Sequence, residues 1–148
     1  MAYEAKRRKL YEEEFLLTEE DGTVVHKLHV SLDADSMVKK LSEKYVALLN
    51  AYQQVQTAGA MSAENIAERL EFLGNTVVDM LEAVFGDENT KIIVEFYDSR
   101  YIEMCKEVMP FITEAVIPQI RKIAADNRKQ TLSKYQKKKS IPWTPRRK

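Results

Sequence analysis

The stretch at residues 24–56, VVHKLHVSLDADSMVKKLSEKYVALLNAYQQVQ, changes its hydrophobic period at its Asp-Ala-Asp sequence, residues 33–35. Up to Leu32, apolar and polar side chains largely alternate, and a period of two predicts a β-strand. From Val38 the apolar residues recur at spacings of three and four, which predicts an amphipathic helix to about Gln56. Either aspartate can cap this helix, because its carboxylate accepts a hydrogen bond from a free amide of the first turn. The stretch therefore predicts a strand that leads directly into a long helix.

A second strand is predicted upstream of this one, at Leu10-Tyr11 and Phe15-Leu16-Leu17. The turn sequence Glu-Asp-Gly-Thr, residues 20–23, separates the two strands. Asp-Gly tolerates the positive φ angles that tight turns require, so residues 10–32 are predicted to form a β-hairpin. A lone hairpin is only marginally stable in water, and its apolar face is expected to pack on the helices that follow.

A second helix is predicted to run from Ser62, its expected N-cap, to Gly86, its expected C′ residue. Its apolar residues repeat at spacings of four and three, and they are Ile66, Leu70, Leu73, Val77, Met80 and Val84. Two such seams joined by a short linker most simply form an antiparallel helix pair. The alternative is that each seam packs against a partner chain. The predicted core includes Leu41, Leu48, Leu70, Leu73, Val77 and Leu81.

Two further helical segments are predicted after Gly86. A short helix is expected over about residues 87–97, capped by the aspartate that begins it, and a last one is expected to be capped by Asp98 or Ser99. Pro110 and Pro118 fall inside the apolar pattern of the last segment. Each proline removes a backbone donor and clashes with the preceding turn, so a kink or break is expected at each.

These elements predict a mainly α fold with an N-terminal β-hairpin (α+β class), made of an antiparallel helix pair and a kinked C-terminal helical segment. The expected bounds of this single globular domain are residues 1–128. Residues 129–148 are predicted to be a basic, largely disordered tail, because apolar residues become sparse and Pro142 and Pro145 end regular structure. Disorder is expected from about Lys137.

Charge is distributed unevenly along the chain. The whole chain has 23 basic and 23 acidic residues, but residues 121–148 contain eleven Lys or Arg and one acid, Asp126. That segment therefore carries about +10, and residues 1–120 carry about −10. A solvated block of like charge usually marks an interaction arm. An acidic body and a basic arm on every copy predict a homo-oligomer built from head-to-tail contacts.

The C-terminal residues from Arg128 on, called the basic arm below, are predicted to bind a partner through cationic and aromatic side chains. These are Arg128, Lys129, Lys134, Tyr135, Lys137, Lys138, Lys139, Trp143, Arg146 and Arg147. On a nucleic acid, the cations would displace counterions and the two rings would stack on bases. The same side chains suit an acidic protein surface. Both partners stay open, and the small number of aromatic residues favours the protein.

Few residues have the chemistry for catalysis or metal binding. His26 and His29 are three residues apart on a predicted strand, point to opposite faces and so cannot grip one metal ion. Cys105 lies among apolar residues at helical spacing and is expected to fill the core. The four glycines are scattered and form no phosphate-binding loop. The sequence predicts no enzyme, cofactor or metal site.

The distribution of apolar residues bears on the compartment. No run of about 18 apolar residues occurs, and acidic residues occupy the place of a signal peptide's apolar stretch near the N-terminus. A soluble, cytoplasmic protein without a membrane partner is therefore expected.

Two neighbouring segments, VFGDEN at residues 84–89 and IIVEFY at residues 92–97, form a helix, Phe-Gly, acid, helix passage. In this passage, and in the order of parts over residues 10–135, the chain resembles the small tail assembly chaperones of long-tailed, siphovirus-like phages and prophages of Gram-positive bacteria. The resemblance implies a non-enzymatic factor in the cytoplasm of the infected or lysogenic host. Such a factor coats the tape measure protein, recruits tail tube protein subunits and is absent from the finished virion.

The tail is where the chain departs from that family. Many of these chaperones have a longer form made by ribosomal frameshifting, and Lys137-Lys138-Lys139 fit an A-rich slippery run. The strength of the positive charge and the ending IPWTPRRK, residues 141–148, do not follow the family pattern. Two other functions stay open: a nucleic-acid-binding accessory protein whose acidic body regulates the basic arm, and a head-to-tail connector component of the virion.

Overall fold

The computed structural model describes residues 2–5, 7, 10–57 and 63–143, with side chains described as far as residue 133. Its elements in chain order are β1 (Tyr11–Thr18), β2 (Val24–Leu32), α1 (Ala34–Gln56), α2 (Ala63–Phe96), α3 (Tyr101–Glu107), α4 (Met109–Phe111), a π-helical turn (Ile112–Val116) and α5 (Ile117–Trp143). The N-terminal hairpin, the packed pair of α1 and α2 and a last helix bent by 39° confirm the predicted fold class.

The hairpin forms where the alternation predicts it. β1 and β2 pair in antiparallel register, beginning with Tyr11 opposite Leu32 at the open end. In the turn, Gly22 has a φ of 90° and donates its N–H to the Glu19 carbonyl at 2.9 Å. A residue with a Cβ atom is strained at that φ, so glycine permits the tight turn.

One face of the hairpin packs on the helices. Its buried residues are Tyr11, Leu17, Leu28, Val30 and Leu32. Phe15 extends the contact, with its ring centroid 5.5 Å from that of Phe85 in α2 and 4.7 Å from that of Phe111 in α4. Aromatic pairs of this kind add about 0.5–1.5 kcal/mol each beyond area burial. The expected packing of the hairpin on the helices is therefore confirmed.

The first helix, α1, has the bounds that the sequence predicts. Asp33 is its N-cap, and Asp33 Oδ2 accepts a hydrogen bond from the Ser36 amide at 3.2 Å. α1 packs against both α2 and α5. Arg69 Nη1, near the start of α2, donates to the Gln54 carbonyl near the end of α1 at 2.9 Å. This contact joins opposite ends of the two helices, as an antiparallel pair requires.

The core lies between the helix pair, the hairpin and the C-terminal helical segment. The buried apolar residues of α1 and α2 are Ala34, Met37, Leu41, Leu48, Ala51, Leu73, Val77, Met80, Leu81, Val84, Phe85 and Ile93. The prediction is wrong for Leu70, which is 38% exposed, whereas Leu73 is fully buried. Leu70 lies next to Arg69, whose side chain contacts the last turns of α1 through the Gln54 carbonyl.

A backbone break at Gly86 divides α2, at the point where the sequence predicts that one helix ends and another begins. Gly86 has φ 83° and ψ 169°, a conformation that essentially only glycine adopts. Gly86 ends the regular helix as predicted, but its ψ is far from the left-handed helical value of a common C′ glycine. The Thr90 hydroxyl donates to the Gly86 carbonyl at 2.7 Å and so links the following helix to the break.

The last helical segment begins differently from the prediction. Asp98 and Ser99, the expected caps, have φ angles of 51° and 60° and form the turn itself, and Arg100 is the N-cap of α3. Both prolines interrupt regular α-helix as predicted. Pro110 lies in the first turn of α4, and Pro118 is the second residue of α5, which begins just after the π-helical turn. A wider π turn accommodates the ring and the missing donor of a proline.

The backbone of α5 is helical to Trp143, beyond the predicted domain bound at residue 128. It includes the stretch from Lys137 for which disorder is expected, and Pro142 lies in its last turn. Lys, Gln and Leu have high helix propensity, which favours a helical backbone over this stretch. The domain bound itself stays a prediction. Among the described residues, no helix has both the length and the apolar character of a membrane span.

Candidate functional site

A cleft of about 1000 Å³, called the acidic cleft below, separates the hairpin turn from α3. Its carboxylates come from Glu19, Glu20 and Asp21 in the turn and from Glu103 and Glu107 on α3. Residues four apart lie on one face of a helix, so both glutamates of α3 face the same way. The fold thus brings two acidic segments together that are about 80 residues apart in the sequence.

An apolar wall completes the acidic cleft, formed by Val25, Phe96 and Tyr97. Burial raises the pKa of Tyr97, and the nearby charges of Glu107 and Glu103 raise it further. Both effects disfavour the phenolate, because an anion loses hydration on burial and is repelled by carboxylates. The cleft therefore combines a negative field with a surface on which long or aromatic side chains can pack.

Arg100 is a basic residue in the lining of the acidic cleft. Its Nη1 lies 3.1 Å from Glu103 Oε1, and its Nη2 lies 3.9 Å from Asp98 Oδ2. Its Nε donates to the Tyr97 carbonyl at 2.9 Å. The guanidinium thus offsets part of the negative charge, and the five lining carboxylates leave the cleft with a net excess of acid.

A second depression, of about 260 Å³, lies between the C-terminal half of α1 and the region of α3 and α4. It is called the apolar groove below, and its lining residues are Tyr45, Leu48, Leu49, Tyr52, Cys105, Lys106, Met109, Pro110 and Thr113. Leu49 is 48% exposed, and Val46, three residues before it, is 56% exposed. Adjacent exposed apolar side chains of this kind are typical of protein-binding surfaces.

The thiol of Cys105 lies in this apolar groove. Cys105 packs against the core, as predicted, but it is only half-buried and therefore does not fill the interior of the core. Burial raises the pKa of the thiol to about 11. At neutral pH the group is therefore protonated, whereas a nucleophilic cysteine needs its thiolate.

The basic arm leaves the body where α5 passes the N-terminal turns of α1. Arg128 lines a pocket of about 510 Å³ there, together with Asp35, Val38 and Leu132, and Lys129 is exposed. Other predicted binding residues continue the helical backbone of α5, with side chains outside the described part: Lys134, Tyr135, Lys137, Lys138, Lys139 and Trp143. Arg146 and Arg147 lie outside the described residues. Of the predicted set, the structure places the side chains of Arg128 and Lys129.

The two histidines make separate contacts. His29 Nε2 lies 2.8 Å from Glu12 Oε1 on β1, and the His26 ring centroid lies 6.3 Å from that of Phe96. These contacts place the two rings on opposite faces of β2, as the spacing of three residues predicts. Within the part of the chain that the structure describes, no group of three or more His, Cys, Asp or Glu residues is arranged to hold a metal ion.

Both surfaces were missed by sequence reasoning. One side of the acidic cleft could have been found from the sequence, because the spacing of Glu103 and Glu107 places both on one helix face. Only folding brings the hairpin turn to them. The apolar groove has a weaker signal, because Leu49 lies outside the predicted seam of α1. An apolar residue outside a seam more often lies singly on a surface than in a binding site.

Comparison with known proteins assigns no family to the chain. No family model, curated protein or solved structure matches it. The resemblance described above and the two surfaces are therefore the basis for a proposed function.

Proposed function

We propose that this protein is a non-enzymatic tail assembly chaperone of a long-tailed phage or prophage, which binds the tape measure protein in many copies and recruits tail tube subunits. Two points support the proposal. One is the resemblance of residues 84–97 to that family. The other, which carries it, is the apolar groove between α1 and the region of α3 and α4. A shallow surface of exposed apolar side chains suits a protein partner better than a small substrate, which needs an enclosed site.

The apolar groove fits one face of an amphipathic helix. Tyr45, Leu49 and Tyr52 follow each other along α1 at spacings of four and three, and so form a continuous apolar edge. A partner helix with apolar residues at similar spacing can pack between this edge and α4. Covering the exposed part of Leu49 contributes about 1 kcal/mol to the binding free energy, a value based on the transfer free energy of a leucine side chain. A tape measure protein, long and helical, offers many such faces in succession.

Each single contact of this kind is weak, since the groove has a volume of only about 260 Å³. Copies held along one extended partner raise the effective concentration of the next copy. Charged residues at the rim, such as Lys106, steer the encounter more than they strengthen it. A small protein can therefore coat a long partner by multiplicity.

Co-expression with the long helical protein of a neighbouring gene tests the proposal, and a soluble complex with many copies per partner is expected. Leu49→Gln in the apolar groove should weaken each contact about fivefold, as 1 kcal/mol requires. Leu16→Gln on β1 is the matched control, because Leu16 is 44% exposed and Leu49 is 48% exposed. Equal losses from the two variants, or a partner that stays insoluble with the unmodified chain, would contradict the proposal.

Nucleic-acid binding by the basic arm is the second candidate function. The observation that favours it is nine Lys or Arg without an acid at residues 128–148. Counterion release would make such binding strongly salt-dependent, with losses of several orders of magnitude between about 50 and 200 mM salt. A purified protein that shifts duplex DNA in this way, but does not bind the tape measure partner, would replace the chaperone proposal.

A further inference from the structure

We infer that the acidic cleft binds the basic arm of a second copy of this chain, so that copies associate head to tail. The inference concerns the chain alone and does not depend on the proposed function. The charge distribution predicts head-to-tail contacts between copies, but it does not say where on the body the arm binds. The acidic cleft is that place.

Charge complementarity identifies the occupant. The cleft lining has five carboxylates, from Glu19, Glu20, Asp21, Glu103 and Glu107, with Arg100 among them. The basic arm has nine Lys or Arg and no acid. Every copy therefore has one cleft and one arm of opposite sign. A nucleic acid is excluded from such a cleft by its own negative charge.

The cleft already holds one group of the kind that the arm would supply. The guanidinium of Arg100 lies against Glu103, with 3.1 Å between Nη1 and Oε1. Because the two side chains are 61% and 42% exposed, one such contact contributes little affinity, and several are needed to hold the arm. The apolar wall of Val25, Phe96 and Tyr97 gives the aliphatic stems of lysines and arginines a surface to cover. Both parts of such a side chain thus find a matching surface.

Geometry favours an arm from another copy over the arm of the same copy. The cleft lies at the turn end of β2, whereas the arm leaves the body beside Asp35, just past the other end of that strand. Nine residues of β-strand separate the two ends by about 27 Å. The helical backbone from Leu132 to Trp143 spans only about 16 Å. The lysines at residues 134–139 lie still closer to Leu132, so the helical arm does not return them to its own cleft.

Sedimentation velocity on the purified, nuclease-treated chain tests the inference. The weight-average mass should rise with concentration at about 10 mM salt and fall to that of a monomer at about 1 M salt, where the Debye length drops from about 30 Å to about 3 Å. Two variants should each weaken association about tenfold: Glu20→Gln with Glu107→Gln in the cleft, and Lys137→Gln with Lys138→Gln and Lys139→Gln in the arm. The cleft variant keeps the pair of Arg100 and Glu103.

Mixing the two variants separates this geometry from a general effect of charge. The cleft variant retains an arm and the arm variant retains a cleft, so the mixture should form mainly one-to-one dimers, with far fewer larger species than the unmodified chain. The matched control is Glu68→Gln with Glu71→Gln, which removes the same charge from exposed positions on α2 outside the cleft. It should associate like the unmodified chain, and circular dichroism melting should show that all variants are folded.

Several results would overturn the inference. They are a monomer at every concentration and salt level, a control variant that associates as poorly as the cleft variant, and variants that do not pair when mixed. A mass gain at low salt that is present only before nuclease treatment would mean that nucleic acid bridges the arms. A monomeric chain that still coats the tape measure partner would overturn this inference alone and leave the proposed function standing.

Discussion

Two leucines three residues apart on α2 provide a direct test of the core. Leu73 is fully buried and Leu70 is 38% exposed, although both belong to the same heptad seam. Leu73→Ala loses the transfer free energy of the removed carbons and leaves a cavity in a packed core, at a cost of about 3–5 kcal/mol. Leu70→Ala removes the same carbons from a site that is already partly open to water. It should cost only about 1–1.5 kcal/mol, with little cavity term.

Urea denaturation measures this difference, provided that both variants keep the m value of the unmodified chain. For a chain of this length, 1 kcal/mol lowers the melting temperature by about 2–4 °C. We therefore expect a loss of about 10 °C for Leu73→Ala and about 4 °C for Leu70→Ala. The substitution and the helix are the same in both cases, so helix propensity does not contribute to the difference. Losses that agree within about 0.5 kcal/mol would refute the difference in burial between Leu73 and Leu70.

Two further predictions concern the break in α2 and the thiol of the apolar groove. Gly86→Ala should lower the free energy of unfolding by about 1–3 kcal/mol, because a Cβ atom is strained at φ 83° and ψ 169°; unchanged stability in urea denaturation would mean that the break relaxes into a regular helix. Cys105 should react with a disulfide reagent at pH 8 about tenfold more slowly than a thiol of ordinary pKa. Raising its pKa from 9.0 to about 11 lowers the thiolate fraction about a hundredfold, and the greater nucleophilicity of the more basic thiolate recovers part of that loss. Its rate should keep rising to about pH 11, and a plateau near pH 9 would contradict the burial of the thiol.

Local patterns predicted most of the elements, because each depends on residues close together in the chain. The period-two alternation before Leu32, the Asp33 cap and the positive φ at Gly86 follow from side-chain direction, a free amide and the lack of a Cβ atom. The caps of α3 were predicted less well. Asp98 and Ser99 are good N-cap types, but residues of these types also tolerate positive φ, and in this turn the second property prevails.

The sequence by itself determined the order of strands and helices, most of the residues that face the core, and the opposite charges of body and arm. Only the tertiary structure decided which acidic segments meet and which apolar residues stay uncovered. The carboxylates of the hairpin turn and of α3 come from distant parts of the chain, and no local period relates them. Leu49 is exposed because the region of α3 and α4 leaves a groove beside α1. Secondary-structure propensity and hydrophobic period depend on a few neighbouring residues. Clefts and grooves depend instead on where distant helices and strands lie relative to each other after packing.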